Sequence, residues 1–178
     1  MSRIGNKPIP IPKTVKVTVA GDVVTVASSD GKKKLTQEVR FVKVRVDGEQ
    51  VVVERNDDTR PARACHGLYR TLISNMIQGI TSGWSRTLEI HGAGFKAELQ
   101  GKKLLLTVGY TKPREFPVPE GIKVELPNPN TLVVSGIDKH LVGQTTASLR
   151  AVRPPDPYKG KGIRYQGEHA VRKTAKGK

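Results

Sequence analysis

The chain has 178 residues, of which 36% are hydrophobic, so it is long enough to form one or two domains with a buried core. Its formal net charge of +15, from 31 basic and 16 acidic side chains, predicts a polyanionic partner. The single cysteine, Cys65, excludes an intramolecular disulfide framework and favours a reducing compartment. No apolar run approaches the length of a membrane span, and the opening MSRIGNKPIPIPK lacks the apolar region of a secretory signal, so we expect a soluble intracellular protein with no membrane partner.

The first half of the chain predicts two pairs of strands followed by a helix. Alternating apolar residues lie on either side of a turn at Gly21, and a second alternating pair flanks Asp47 and Gly48. A helix follows, and either Asp58 or Thr59 can serve as its N-cap. The predicted apolar stripe of this helix comprises Leu68, Leu72, Ile73, Met76, Ile77 and Ile80.

The second half of the chain repeats the first half at an offset of 80 residues. Placing VKVTVAGDVVTV over FKAELQGKKLLL aligns Gly21 with Gly101 and keeps the apolar alternation. The same offset, without a gap, places VKVRVDGEQVVVERNDD over IKVELPNPNTLVVSGID and aligns Val53 with Val133. A period of this length exceeds that of solenoid repeats, so it indicates one small domain copied in tandem.

The second copy therefore predicts the same order of elements, ending in a helix that Asp138 caps and Pro154 stops. We predict an α+β fold made by tandem duplication of a small domain, each copy a mostly antiparallel sheet packed with one helix, plus extended basic termini. The inward side chains of the second helix are Leu141, Val142, Thr145, Leu149 and Val152. The predicted domains are a first lobe with an N-terminal arm at 1–82, a second lobe at 83–153 and a basic C-terminal extension at 154–178.

Residues that could carry catalysis or hold a metal occur in no productive pattern. HGAGFKA matches the glycine spacing of a dinucleotide fingerprint, but the repeat predicts a strand from Phe95, where such a site needs a helix. We expect instead a turn that RNA phosphates can approach, with His91 and Lys96 as contacts. The four histidines and Cys65 lack metal-ligand spacing, and no nucleophile elbow or phosphate-cradling loop occurs. The sequence predicts no enzyme, no metal, no cofactor and no small-molecule substrate.

Nucleic-acid binding has more support, beginning with the polar face of the predicted first helix. Simple exposure to solvent explains the polar face of this helix equally well. The same alternative applies to the basic loop DGKKKL. With one Trp, four Tyr and three Phe, the chain has few platforms for stacking single-stranded bases, so folded RNA is the favoured ligand. DNA is less favoured, since no helix-turn-helix, zinc-finger or zipper pattern occurs. The residues of the polar helix face are Arg63, His66, Gly67, Arg70 and Ser74.

The C-terminal segment is the most basic part of the chain, with 8 basic and 2 acidic residues in its last 28. The prolines of PPDPYKGKGIRY give it a stiff start, and its glycines let lysines and backbone N–H groups approach phosphates. We predict an RNA clamp that contributes little to the stability of the lobes, and a solvated tail is the alternative. The charged residues of this predicted clamp are Arg153, Lys159, Lys161, Arg164, Lys173 and Lys176.

Four stretches of the chain together resemble a known family. They are MSRIGNKPI at the start, HGLYRTLISNMI in the first helix, VSGIDKHLVGQ in the second lobe and PPDPYKGKGIRY near the end. In this combination the chain resembles the bacterial form of the large-subunit ribosomal protein family L-six, over essentially its whole length.

The resemblance implies a structural constituent of the large ribosomal subunit in the cytoplasm, and not an enzyme. It implies binding to the large (23S-type) ribosomal RNA near the sarcin–ricin loop and the stalk base, beside the translation factor-binding site, with large-subunit ribosomal proteins as neighbours. The alternative function is a free nucleoid-type DNA-binding or polyanion-binding protein. Carried over by position, the RNA-contacting residues are Tyr158, Lys159, Gly160, Lys161, Gly162 and Arg164.

Overall fold

The structure, a computed structural model, describes residues 3–171 and residue 173. Lys176, a predicted RNA contact, lies outside the described residues. The chain forms two compact units. The first unit extends to Gly83 and includes Ile137–Lys139, and the second unit comprises Trp84–Gly136 and the chain from His140 onward.

The first unit contains two antiparallel three-stranded sheets and one helix. Its elements are β1 (Ile9–Pro10), β2 (Val15–Ala20), β3 (Val23–Ser28), β4 (Lys34–Glu38), β5 (Val42–Asp47), β6 (Gln50–Arg55) and α1 (Arg60–Thr81). One sheet has the order β2-β3-β4 and the other has the order β1-β6-β5. Helix α1 packs against strands of both sheets, so the three layers enclose one apolar core.

The second unit repeats this arrangement and adds one strand. Its elements are β7 (Trp84–His91), β8 (Lys96–Gln100), β9 (Lys103–Thr107), β10 (Arg114–Pro117), β11 (Ile122–Asn128), β12 (Thr131–Gly136), α2 (Lys139–Val152) and β13 (Gly162–Tyr165). Its sheets have the orders β8-β9-β10 and β11-β12-β7-β13, which correspond to those of the first unit once β7 takes the place of β1. The predicted α+β fold built by tandem duplication is confirmed.

The hairpin glycines and the first helix cap follow the sequence prediction. Gly21 and Gly101 connect equivalent strand pairs with φ of +60° and +59°, in the left-handed region that glycine adopts most readily. Of the two candidate caps for α1, Thr59 is the one used, because its side chain accepts the backbone N–H of Ala62. Short-range sequence patterns were therefore sufficient to predict the two hairpin turns and the cap of α1.

The predicted apolar stripe of α1 is wrong at one residue. Leu68 is 52% exposed, whereas His66, which we placed on the polar face, is 3% exposed. Residues two apart on a helix are separated by about 200° around its axis, so the burial of His66 turns Leu68 to solvent. Ile73 and Ile77 are buried on the same side as His66, as the stripe requires.

The gapless repeat is also wrong in its last strand. Val53 on β6 pairs with Val44, and in the second unit the pair of buried valines is Val134 on β12 with Val124. Val53 therefore corresponds to Val134 and not to Val133, because β11 carries one extra residue in a bulge between Glu125 and Asn128, while the turns of the two hairpins have the same length. A shift of one residue exchanges the two faces of a strand, so Val133 points away from the position that Val53 occupies.

The described parts of both basic termini belong to the folded units. Ile9 on β1 is 2% exposed in the first core, and β1 pairs with β6. In the C-terminal segment, β13 pairs antiparallel with β7, and Ile163 is fully buried in the second core. The expectation that this segment contributes little to the stability of the lobes is wrong, because its strand extends a sheet and its isoleucine fills the core.

None of the helices in the described part of the chain is long and apolar enough to span a membrane.

Candidate nucleic-acid interface

The most basic segment of the sequence forms a closed loop between α2 and β13. The backbone N–H of Asp156 donates to the carbonyl oxygen of Lys161 at 2.9 Å, and the N–H of Gly160 donates to the carbonyl oxygen of Asp156 at 2.9 Å. The Asp156 carboxylate accepts the backbone N–H of Lys159 at 2.8 Å. We call residues 156–161 the lysine loop. Its backbone hydrogen bonds fix its shape before any partner binds.

The lysine loop presents uncompensated positive charge. Lys159 and Lys161 are exposed, while Gly160 between them is buried with φ of +68°. Neither lysine takes part in any ion pair among the described residues. Tyr158, on the same loop, is 65% exposed. The loop therefore offers two ammonium groups and one aromatic ring to a partner.

The base of the lysine loop is fixed by backbone contacts. The N–H of Ile163 donates to the carbonyl oxygen of Arg153 at 2.7 Å, and the N–H of Lys173 donates to that of Pro157 at 2.8 Å. A β-carbon on Gly162 would lie 2.5 Å from the Pro154 carbonyl oxygen, so only glycine fits at this crossing. Of the predicted contacts here, Lys173 is exposed and Arg153 is half-buried.

Two predicted RNA contacts meet across the β7–β13 pair. Nη2 of Arg164 donates to Nδ1 of His91 at 3.1 Å, and Nε2 of His91 lies 2.9 Å from a carboxylate oxygen of Glu89. Because a guanidinium only donates, Nδ1 of His91 is an acceptor and Nε2 carries the proton that Glu89 accepts. The hydrogen bonds from Arg164 to His91 and from His91 to Glu89 orient the Arg164 side chain. This side chain is partly exposed on the same sheet edge as the lysine loop.

The turn that follows β13 is anchored to the second helix through Glu168. Glu168 accepts two hydrogen bonds from the Arg150 guanidinium, at 3.0 and 2.5 Å, and one from the backbone N–H of Tyr165 at 3.0 Å. The bonds from Arg150, followed by that from Tyr165, lower the pKa of the Glu168 carboxyl below its ordinary value. This ion pair fixes the end of β13 to α2.

The other predicted contacts lie on separate surfaces, and several are engaged within the protein. Arg63 on α1 is exposed, but Arg70 donates to the carbonyl oxygens of Lys7 at 3.1 Å and Pro8 at 3.4 Å. Lys96 forms an ion pair with Glu98 at 2.7 Å. Arg70 therefore holds the N-terminal arm against α1, and the charge of Lys96 is partly compensated.

His66 does not belong to a nucleic-acid surface. Its Nε2 lies 3.0 Å from the carbonyl oxygen of Val53, inside the first unit. A β-carbon on Gly5 would lie 2.4 Å from the His66 ring, so the N-terminal arm packs directly on the imidazole. The placement of His66 on an RNA-facing surface is therefore wrong, because the ring is covered on one side by the arm and bonded to β6 on another.

Sequence reasoning missed one cluster, around Tyr110. The guanidinium carbons of Arg114 and Arg153 lie 4.8 and 5.3 Å from the centre of the Tyr110 ring. Only Arg153 was a predicted contact, and 39 residues separate it from Arg114. No sequence pattern signals such a meeting. Within the part of the chain that the structure describes, no group of three His, Cys, Asp or Glu side chains could hold a metal ion.

The chain matches a known protein family in both of its units. The family model of ribosomal protein L6 matches residues 11–83 and 91–166, one match in each unit. The chain belongs to the ribosomal protein L6 family. The second match includes the lysine loop and β13, so the family pattern extends into the C-terminal segment as far as residue 166.

Relatives in the L6 family align with almost the whole chain. The large ribosomal subunit protein uL6 of Synechocystis sp. is 50% identical over 176 residues, covering 99% of this chain and 98% of its own length. The protein of the same name from Carboxydothermus hydrogenoformans is 52% identical over 177 residues, covering 99% and 96%. That of Streptococcus sanguinis is 49% identical over 177 residues, covering 99% and 98%.

Proposed function

We propose that this chain is a structural constituent of the large ribosomal subunit, present in the cytoplasm as part of the ribosome and without enzymatic activity. The observation that carries the proposal is the alignment, at about half identity and almost full length, with relatives named as large ribosomal subunit protein uL6. The alignment includes both units and the C-terminal segment, and it covers 98% and 96% of the lengths of those two relatives.

Its partner in the subunit is the large-subunit ribosomal RNA, at the sarcin–ricin loop and the stalk base, where it supports the translation factor-binding region beside neighbouring ribosomal proteins. The net charge of +15 and the small number of aromatic residues support recognition through phosphates and folded RNA shape. The lysine loop supports it further, because its cations are exposed, uncompensated and held on a fixed backbone.

Within this proposal the lysine loop binds the RNA backbone. Lys159 and Lys161 contact phosphates, and the buried Gly160 between them takes the left-handed backbone conformation that the loop needs at this point. Arg164 contributes from the adjacent strand, where His91 orients it. Arg63 and Lys173 are exposed cations that add to the positive field.

Fractionation and footprinting test the two levels of this proposal separately. On a sucrose gradient of cell lysate, the chain should co-sediment stoichiometrically with large subunits, whereas recovery with the nucleoid would support the DNA-binding alternative. Footprinting of large-subunit RNA with the purified protein should then show protection around the sarcin–ricin loop. Protection confined to other regions would contradict the proposed location while leaving the subunit assignment standing.

A charge-matched pair of variants tests the role of the lysine loop. K159Q/K161Q should weaken binding to large-subunit RNA by roughly 10-fold or more, since each lost phosphate contact removes a charged interaction. The control is K32Q/K33Q, which removes the same charge from an exposed loop of the first unit. Equal losses in both variants would mean that only the net charge matters.

The salt dependence of binding by the wild-type protein is a separate test. If the protein neutralises about 5 duplex phosphates, the slope of log K against log salt should be about −4 to −5.

A further inference from the structure

A tyrosine in the second unit gathers two arginines that are distant in sequence. Tyr110 lies in the β9–β10 loop, and its hydroxyl donates to the carbonyl oxygen of Val152 at 2.9 Å. Gly109 before it has φ of +78°, and a β-carbon there would lie 3.0 Å from the Phe95 ring. The hydroxyl bond fixes the outer end of the ring, and the close approach of Gly109 to Phe95 fixes the backbone next to it. Arg114, at the start of β10, and Arg153, after α2, both lie against it.

A second tyrosine shows what a compensated pair looks like. Tyr165 also lies against two guanidiniums, with Arg86 at 5.4 Å and Arg150 at 5.9 Å from its ring centre. There the Arg150 guanidinium is neutralised by its two hydrogen bonds to Glu168. Two arginines at one tyrosine ring therefore need no external anion when a carboxylate of the protein neutralises one of them.

At Tyr110 that carboxylate is missing. Neither Arg114 nor Arg153 takes part in an ion pair among the residues that the structure describes. The ring face attracts both cations but satisfies none of the in-plane N–H donors of a guanidinium. Two like charges at one ring repel each other, so an anion that contacts both at the edge of the ring relieves the repulsion and accepts from their in-plane N–H donors.

The Arg114 side of the ring has room for such an anion and adds a third cation. A cavity of about 400 Å³ is lined by Tyr110, Thr111, Lys112, Pro113 and Arg114, and Lys112 is exposed. The guanidinium group is planar and matches the oxygens of a phosphate in pairs, which makes a phosphate the anion best suited to two arginines.

We propose that Arg114 and Arg153, held on the ring of Tyr110, bind one backbone phosphate of the ribosomal RNA. The proposal rests on the proposed function and adds to it a contact outside the lysine loop. A polyanion is favoured over an isolated carboxylate because Arg153 directly precedes the segment that carries Lys159 and Lys161. One RNA backbone can therefore contact both groups of cations.

The test compares two arginines that are alike except for their surroundings. Arg114 and Arg86 are both exposed and both lie against a tyrosine ring, so R114Q and R86Q remove the same charge from similar positions. Affinity of the full-length protein for transcribed large-subunit RNA is measured over a salt series. R114Q and R153Q should each weaken binding by roughly 10-fold and reduce the salt slope by about 1. R86Q should change the affinity by less than about 2-fold.

The outcomes separate this inference from the proposed function. If the wild-type protein shows no preference for large-subunit RNA, both are wrong. If K159Q/K161Q weakens binding while R114Q behaves like R86Q, the phosphate site alone is wrong. If R114Q impairs incorporation into subunits without changing RNA affinity, the site binds an acidic group of a protein neighbour instead. R114K keeps the charge but loses the planar donor pair, so it should lose part of the affinity even if R114Q unfolds.

Discussion

The backbone of Gly162 crosses the carbonyl group of Pro154 so closely that a β-carbon on Gly162 would lie 2.5 Å from the Pro154 oxygen and 2.8 Å from the Pro155 Cα. The φ of Gly162 is +146°, a backbone conformation that residues with side chains rarely adopt. Both obstructing atoms belong to the main chain and cannot rotate away as a side chain can. The crossing therefore closes the base of the lysine loop only while residue 162 is glycine.

Replacing this glycine should destabilise the second unit. For Gly162→Ala we expect the free energy of unfolding to fall by about 2–4 kcal/mol, because the methyl group forces the backbone of Pro154 and β13 apart. Urea denaturation of the full chain measures the change. The control is Gly143→Ala in α2, where a β-carbon meets nothing within 4 Å. That variant should gain roughly 0.5–1 kcal/mol from helix propensity. Similar small changes in both variants would show that the crossing can relax.

The burial of Ile163 provides a second test of the C-terminal segment. Its side chain is fully buried among the residues of the second core, so Ile163→Ala should cost about 2–5 kcal/mol of unfolding free energy. Val171 is 82% exposed, and Val171→Ala should change stability by less than about 0.5 kcal/mol. Calorimetric unfolding of both variants checks the difference. An unchanged transition for Ile163→Ala would restore the view of this segment as an attached but dispensable tail.

Most of the fold follows from short-range patterns in the sequence. Apolar alternation fixes which residues of a strand face the core, and the turns at Gly21 and Gly101 need a left-handed residue, so both hairpins can be read locally. The helix cap at Thr59 is equally local. The repeat then transfers the architecture of the first unit to the second, because equal patterns bury equal faces.

The errors arise where a distant segment decides the outcome. Val133 matches Val53 by identity, but the bulge in β11 changes the pairing register with β12 and with it the face of the strand. His66 is buried because the arm at Gly5 covers its ring and the Val53 carbonyl bonds it, and neither neighbour is near it in sequence. The same limit hid the Tyr110 cluster, because Arg153 comes from a segment far in sequence from Tyr110 and Arg114.

A strained residue in the first unit gives a prediction with an unusual sign. Phe41 has φ of +65°, alone among the described non-glycine residues in having a positive value, and Gly121 occupies the matching position of the second unit with φ of +83°. Left-handed backbone costs residues with a β-carbon about 1–2 kcal/mol. Phe41→Gly should therefore be more stable than Phe41→Ala by about 1 kcal/mol, although glycine is normally the less stable of the two.

The control for this comparison is Val46, which lies on the regular strand β5 and is 39% exposed. There the glycine variant should be less stable than the alanine variant by roughly 0.5–1 kcal/mol. Thermal unfolding of the four variants gives the two differences. The same sign at both positions would mean that the backbone at Phe41 rearranges when its side chain is removed.

The Arg150–Glu168 ion pair predicts how the anchoring of β13 depends on pH. The guanidinium of Arg150, with the backbone N–H of Tyr165, lowers the pKa of the Glu168 carboxyl in the folded protein. A carboxyl whose pKa is lower in the folded state stabilises that state above its unfolded pKa of about 4.3, and this contribution is lost as the pH falls through the folded pKa. Glu168→Gln should therefore have a lower melting temperature than the wild type at neutral pH, and the difference should shrink once the pH falls below about 4.

The control is Glu115→Gln, which breaks an exposed pair with Lys103 and should shift the melting temperature much less at every pH. Melting temperatures of the three proteins across the acidic range check this, and a constant difference between wild type and Glu168→Gln would show that the ionisation of this carboxyl does not contribute to holding β13 on α2.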